Sequence, residues 1–235
     1  MMSKKLEKKE EKLNTLEFIS HELKGILGST IMCIYSIRQG FLGMINFKQK
    51  KTLDTAIRNL RRLEATIKDY MDFSKIEDES FDVKKTEINL NEDVIREIKD
   101  VYMAEIFEKN MVFENRVPRS VTVKADKTLM GTVYNNLVGN AVKYGSDGGR
   151  IILDCEEFED NIRMSVYNDG IPIKKDDKKH LFKKFHRIES EQYKDIKGTG
   201  LGLFIVKKII ENFGGNIWHE PKEQGNEFIF EIEKE

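Results

Sequence analysis

An α-helical hairpin followed by an α+β two-layer sandwich is the fold that two features of this sequence predict. From residue 3 to residue 77 apolar side chains recur at helical spacing in two long runs, interrupted by Gly40 and Gly43. Beyond residues 78–82 the period changes. Short β-patterned runs mix with helical ones without strict alternation, which favours a layered α+β sandwich over a doubly wound parallel sheet. The chain accordingly divides into residues 1–80 and 81–235.

Its 235 residues suffice for one large or two small cores. With 40 basic and 41 acidic side chains the formal charge is −1, so no global field directs the chain to nucleic acid or an anionic membrane, and no nucleic-acid partner is expected. Charged residues make up 34%, above the roughly 25% of typical soluble proteins, which suits long solvated helices. Cys33 and Cys155 fall in different predicted domains, suggesting neither a disulfide framework nor a zinc site. No apolar run approaches the ~18 residues of a transmembrane segment, and no signal-peptide core follows the basic N-terminus. The expected setting is the cytoplasm, for a soluble chain or the soluble part of a longer sensor.

The first predicted helix covers residues 3–38. Its beginning, residues 4–13, has dense charges with Leu6 and Leu13 seven apart, as in an exposed coiled-coil lead-in. Leu13, Leu16, Leu23, Leu27, Ile34 and Ile37 form one stripe, flanked by Ile19 and Ile26. The second helix, residues 47–77, has columns Leu53, Leu60, Ile67 and Ala56, Leu63, Tyr70, widened by Ile57 and Met71. An isolated hairpin cannot bury both stripes, so a homodimer through residues 1–80, closing a four-helix bundle, is expected.

His21 lies off the stripe. The positions sharing its face, Gly25 and Gly28, have no side chain to shield the imidazole, and each glycine costs the helix about 1 kcal/mol relative to alanine. An exposed imidazole is a good nucleophile near neutral pH, and Glu22 is placed to orient it or take its proton. Alone, the same residues read more readily as a solvated surface histidine.

In the second half, strands are expected at 83–87, 111–117, 121–124, 150–158, 161–167, 216–219 and 227–233, and helices at 91–109, 126–144 and 201–213, with Asn91 as a cap. Three segments here suit a nucleotide. Asn136 and Asn140 share a helix face, where amide oxygens complete the shell of a Mg²⁺ ion that keeps water and phosphate ligands; Lys143 adds a cation and Tyr144 a ring. Asn168-Asp169-Gly170 ends a strand and offers an acceptor for an exocyclic amine. Gly198-Thr199-Gly200-Leu201-Gly202-Leu203 opens a helix, where bare backbone and free N–H groups accept phosphate. Each is weak alone: the first reads also as polar helix surface, the second as an ordinary turn, and the third lacks the lysine of a P-loop.

Together, and in this order, the segments resemble the catalytic core of a two-component sensor histidine kinase. Phe18-Ile19-Ser20-His21-Glu22-Leu23-Lys24 resembles the phosphoacceptor box, and residues 69–77 the end of its second helix. Residues 136–144 resemble the asparagine box, 181–187 the phenylalanine box, and 198–215 the second glycine box. The likeness runs from about Leu13 to Ile232. It implies a dimerisation and phosphoacceptor hairpin joined to an ATP-binding sandwich of the Bergerat or GHKL type.

The resemblance also implies roles. His21 would accept the γ-phosphoryl group of ATP with Glu22 assisting proton removal. Asn140 would ligand Mg²⁺, while Asn136, Lys143, Arg187 and the segment from Lys197 to Leu203 face the phosphates. Residues 186–197 would form a lid anchored by Phe182 and Phe185, with Tyr144, Asn168, Asp169 and Gly170 lining the base corner. Residues 78–82 would act as a hinge. The phosphoryl group would pass to an aspartate of a separate response regulator, whose receiver domain would dock near Ser29, Met32, Cys33 and Ser36.

Four positions depart from the family pattern. Gly25 and Ile26 stand where Thr or Asn and then Pro are usual, and Gly25, without the hydroxyl or amide, implies weak or absent phosphatase activity of the usual type toward the regulator. Asn168 replaces an aspartate, and Pro172 a glycine. Two other functions compete: a catalytically silent kinase-derived dimeric scaffold, and a GHKL-type ATPase. The latter would need a water-activating glutamate where Asn136 stands.

Overall fold

The computed structural model describes the backbone of residues 2–77, 83–188, 191–194, 196 and 198–234, and not the side chains of residues 2–14, 16, 17 and 192. The hinge expected at 78–82, Lys197, and the side chains of Leu13 and Leu16 lie outside the described residues. The chain forms two compact units, Met1–Phe81 and Asp82–Glu235.

The first unit is an antiparallel hairpin of α1 (Met2–Arg38) and α2 (Phe47–Glu77). Gly40 and Gly43 take left-handed φ values of 81° and 119°, which stop α1 where the glycine signal lies. A reciprocal pair starts α2: Asn46 Oδ1 accepts from Gln49 N at 2.9 Å, and Gln49 Oε1 from Asn46 N at 2.8 Å. Arg38 pairs with Asp54 beside the turn, and Lys24 faces Asp72 further along. Burial pushes the Asp72 carboxyl up despite that lysine and Lys68. Leu27, Ile57 and Met71 are buried, but Ile19, Leu23, Ile26, Leu63 and Tyr70 remain exposed. The hairpin therefore covers only part of its own apolar surface.

The second unit sets helices on one face of a five-stranded sheet. Strands β2 (Val112–Asn115), β4 (Arg150–Glu157), β5 (Asn161–Asp169), β6 (Asn216–Lys222) and β7 (Gly225–Glu233) lie in the order β2-β4-β5-β7-β6. Only β2 and β4 run parallel; the other neighbours are antiparallel. A separate antiparallel pair joins β1 (Thr86–Asn89) to β3 (Thr122–Ala125).

The helical layer consists of α3 (Arg96–Glu108), α4 (Lys127–Tyr144) and α6 (Gly202–Asn212), with a single turn α5 (Lys175–Lys178) in the loop after β5. Asp126 caps α4, accepting from Thr128 N and Leu129 N, and so fixes the register of the whole asparagine helix. The inward face of α4 presents Met130, Val133, Tyr134, Leu137 and Val138, all 0% exposed, and Ile205, Val206, Ile209 and Ile210 of α6 complete the layer. Tyr134 meets Phe230 of β7 edge-on at 5.9 Å.

Two expectations need correcting. The strand expected at 83–87 lies at Thr86–Asn89, and the cap expected at Asn91 is Asn89, whose Oδ1 accepts from Glu92 N at 3.0 Å. A π-helical turn, Leu90–Ile95, precedes α3. Asn91 instead donates to the carbonyls of Val117 and Pro118, tying this turn to the loop before β3.

Gly215 stands where α6 returns to β6, and a Cβ there would overlap the Glu231 carbonyl oxygen of β7. Because the neighbour is backbone, it cannot yield as a side-chain tip would. Gly215→Ala is expected to cost about 3 kcal/mol in chemical denaturation; an unchanged midpoint would show that the two strands can part.

Candidate active site

On α1 the His21 side chain is 88% exposed, with Nδ1 3.7 Å from Glu22 Oε1. A Cβ at Gly25 or Gly28 would meet nothing within 4 Å, so the helix is bare beside the imidazole. Ser20 and Leu27 turn inward, while Met32 and Cys33 are exposed and Ser36 is half-buried. Ser29 and Ser36 return their hydroxyls to the carbonyls of Ile26 and Met32. One face thus carries an exposed ring above a strip of small and soft side chains.

Within the second unit, three separate segments meet at the C-terminal half of α4. A Cβ at Gly202 would lie 2.5 Å from Asn136 Oδ1, so the start of α6 rests against the asparagine helix only because residue 202 is glycine. Asn136 donates to Thr132 O at 2.9 Å, which leaves its oxygen toward that glycine. Asn140, one turn on, is half-buried, and its side chain has no hydrogen-bond partner among the described residues. Lys143 is exposed at the helix end.

Gly145, which ends α4, bridges Gly170 at the end of β5, and a Cβ on Gly170 would fall 2.6 Å from Tyr144 O. Ser146 N donates to Asp169 O at 2.9 Å. Asn168 is 3% exposed; its Nδ2 donates to Asp169 O, and among the described residues no donor reaches its Oδ1. Asp169 differs. Its carboxylate accepts from the Tyr167 hydroxyl, Arg150 N and Arg150 Nε, so it is committed to the strand end and leaves Asn168 as the acceptor at this corner.

Burial pushes the Asp169 pKa up, but the bonds from Tyr167 and Arg150 outweigh it and hold the carboxyl below the usual aspartate range. Burial and the same bond raise the Tyr167 phenol to about 12. A depressed folded pKa stabilises the fold above the unfolded value, near 3.8, and that contribution disappears as pH falls through the lower folded value. Asp169→Asn is therefore expected to lower the melting temperature at neutral pH. The difference should close below about pH 3.8, and a gap independent of pH would rule out this linkage.

The glycine-rich turn docks on the segment before it. Gly200 has φ 72°, and a Cβ there would lie 2.8 Å from both Phe185 C and His186 O. Phe185 itself has φ 60° and is 60% exposed, whereas Leu181 is buried and Phe182 half-buried. Thr199 Oγ1 accepts from Leu201 N at 3.3 Å; Leu201 is buried, Leu203 half-buried and Gly198 open. Helix geometry provides no acceptor for the N–H groups of Gly202 and Leu203, which suits an anion there. Gly200→Ala combines left-handed strain with a backbone clash, together costing on the order of 2 kcal/mol. It should weaken ATP binding by at least about tenfold in an equilibrium titration, and unchanged affinity would show that this docking does not shape the site.

Arg187 donates to Ile196 O, and its charge tempers a Tyr144 phenol raised mainly by burial. Sequence reasoning missed Tyr193. Its ring stacks edge-on with Tyr144 at 5.2 Å, and its hydroxyl donates to Ile171 O at 3.4 Å, so it joins the short turn Glu191–Tyr193 to the base corner. The sole signal was an aromatic residue within a polar run.

No group of three or more His, Cys, Asp or Glu side chains converges on a metal position among the described residues. The unengaged amide of Asn140 fits a different kind of site, one oxygen ligand to a magnesium ion whose other ligands are phosphate and water.

An asparagine helix, a base corner and a glycine turn on one sandwich define a nucleotide-binding ATPase domain. The family of histidine kinase-, DNA gyrase B- and HSP90-like ATPases matches residues 125–235. The sensor histidine kinase WalK of Bacillus subtilis is 34% identical over 119 residues, 49% of this chain and 20% of that kinase. The catalytic domain of histidine kinase ThkA superposes with a TM-score of 0.58 at 38% identity, covering 64% of this chain and 96% of that one. ThkA in complex with the response regulator protein TrrA gives 0.65 at 31% identity, covering 97% and 66%. The chain belongs to the histidine kinases. It spans about a fifth to a quarter of the length of the first curated relatives it matches. Among the described residues no helix is long and apolar enough to cross a membrane.

Proposed function

We propose that the chain is the ATP-dependent, autophosphorylating core of a sensor kinase, with His21 as phosphoacceptor and the second unit as its ATP site. The observation that carries this is the 88% exposed imidazole, bare of neighbours at Gly25 and Gly28, on a chain whose other unit is a histidine-kinase-type ATPase domain. Residues 1–80 would form the dimerising phosphoacceptor domain and 81–235 the ATP-binding domain.

Glu22 stands beside Nδ1, which leaves Nε2 as the attacking nitrogen. The N–P bond forms as the bond from the γ-phosphorus to the β,γ-bridging oxygen of ATP breaks; ADP leaves, and the imidazole proton passes to Glu22 or water. Such transfer depends on positioning and charge neutralisation more than on covalent help from the protein. Asn136 and the Gly198–Leu203 backbone would hold the phosphates, Lys143 and Arg187 would offset their charge, and Asn168 would accept the adenine amine. Mg²⁺ held at Asn140 supplies charge neutralisation across the phosphates.

The exposed apolar side chains Ile19, Leu23, Ile26, Leu63 and Tyr70 support homodimerisation through the hairpin. The strip Ser29, Met32, Cys33 and Ser36 would receive a receiver domain, whose aspartate takes the phosphoryl group; ThkA, at 31% identity, is complexed with a response regulator.

The test is incubation of the full chain with γ-labelled ATP. Acid-labile label mapped to His21 is the expected result. Free phosphate without labelled protein would mean an ATPase, and neither would mean a silent scaffold.

A further inference from the structure

β6 and β7 carry a buried polar pair with no part in the reading above. His219 is 0% exposed and Asn226 3% exposed, and their side chains meet at 3.0 Å between Nε2 and Oδ1. The Asn226 amide also bonds twice to the loop after β5: Nδ2 donates to Ile171 O at 2.9 Å and Oδ1 accepts from Ile173 N at 2.8 Å. Those two backbone partners fix which end of the amide is oxygen. An amide oxygen only accepts, so His219 carries its proton on Nε2. Its Nδ1 is buried without a partner, and burial lowers the imidazole pKa, so the ring is a neutral donor of fixed tautomer.

The placement of this pair gives it a consequence. Pairing of β5 with β7 ends at Asp169 opposite Gly225, so residues 171–173 have no strand to hold them. The Asn226 amide supplies the missing donor and acceptor. The same loop follows Gly170, wedged against Tyr144, and its Ile171 carbonyl also takes the Tyr193 hydroxyl. Removal of the His219 donor leaves the amide with one partner fewer and so less firmly held, which would loosen both loop bonds at once.

We propose that His219 is a positioning residue for the base corner of the nucleotide site: through Asn226 it fixes the loop 171–173 and so the discrimination of adenine from guanine at Asn168. The proposal rests on the ATP reading of the second unit. Its test is competition of ADP and GDP against a fluorescent ADP analogue on the full chain, with melting temperature recorded in parallel. Wild type should prefer ADP. His219→Leu should weaken ADP about tenfold, the effect of roughly one lost hydrogen bond, and leave GDP nearly unchanged. His219→Gln, which restores a donor at similar reach, should recover the preference. Asn226→Ala should match His219→Leu; should it fail to fold, the two His219 variants decide alone. A merely structural histidine would lower the melting temperature with the ADP to GDP ratio intact, which overturns the proposal alone. Wild type that binds neither nucleotide overturns the ATP reading as well.

Discussion

His21→Gln is expected to abolish acid-labile labelling by γ-labelled ATP completely. Glutamine has no ring nitrogen to form the phosphoramidate, and the position is so exposed that the change should alter stability by no more than about 0.5 kcal/mol. The residues proposed for the nucleotide all lie within the second compact unit, Asp82–Glu235, so ATP affinity should stay within about twofold of wild type. Autoradiography after acid and alkali treatment, with a parallel ATP titration, separates the outcomes. Full labelling of the variant would remove His21 from the mechanism, and a loss of ATP affinity would mean that the substitution acts by another route.

Asn140→Ala carries the second largest expected effect. Its amide has no hydrogen-bond partner among the described residues, so truncation removes the proposed metal ligand without orphaning a buried group, and the fold should survive. A metal ion that neutralises a transferring phosphoryl group is worth several kcal/mol, so the initial rate of His21 labelling should fall at least about a hundredfold. Nucleotide affinity should also lose its dependence on magnesium concentration. Asn140→Asp retains an oxygen ligand and should be intermediate. A normal labelling rate in Asn140→Ala would place the metal elsewhere.

Much of the fold was legible because strong signals coincide with element ends. α2 begins and ends at the expected residues, Phe47 and Glu77, and Asp126 announces α4 through an acceptor side chain before an apolar helical run. The π-helical turn before α3 was invisible because a period of 3.6 residues cannot reveal a locally wider turn. The capping role went to Asn89 over Asn91, since either asparagine satisfies the local rule and only the contact of Asn91 with Val117 and Pro118 chooses between them.

The site was legible to a different degree. Motif order located Asn136, Asn140 and the glycine turn on one layer, but whether Asp169 or Asn168 is free depends on Tyr167, two residues earlier on β5, and on Arg150, which approaches through strand pairing. His219 and Asn226 gave no signal at all. They meet across neighbouring strands, and neither lies in a segment whose composition suggests chemistry.

The strand order has a consequence for biosynthesis. Among the described residues β6 pairs only with β7, the strand made after it, so on the ribosome its edge waits unpaired until residues 225–233 emerge. Nascent chains stalled before that point would hold a three-stranded β2-β4-β5 sheet without its far side. Chaperone capture or protease nicking should therefore be most evident in arrested chains that end between β6 and β7.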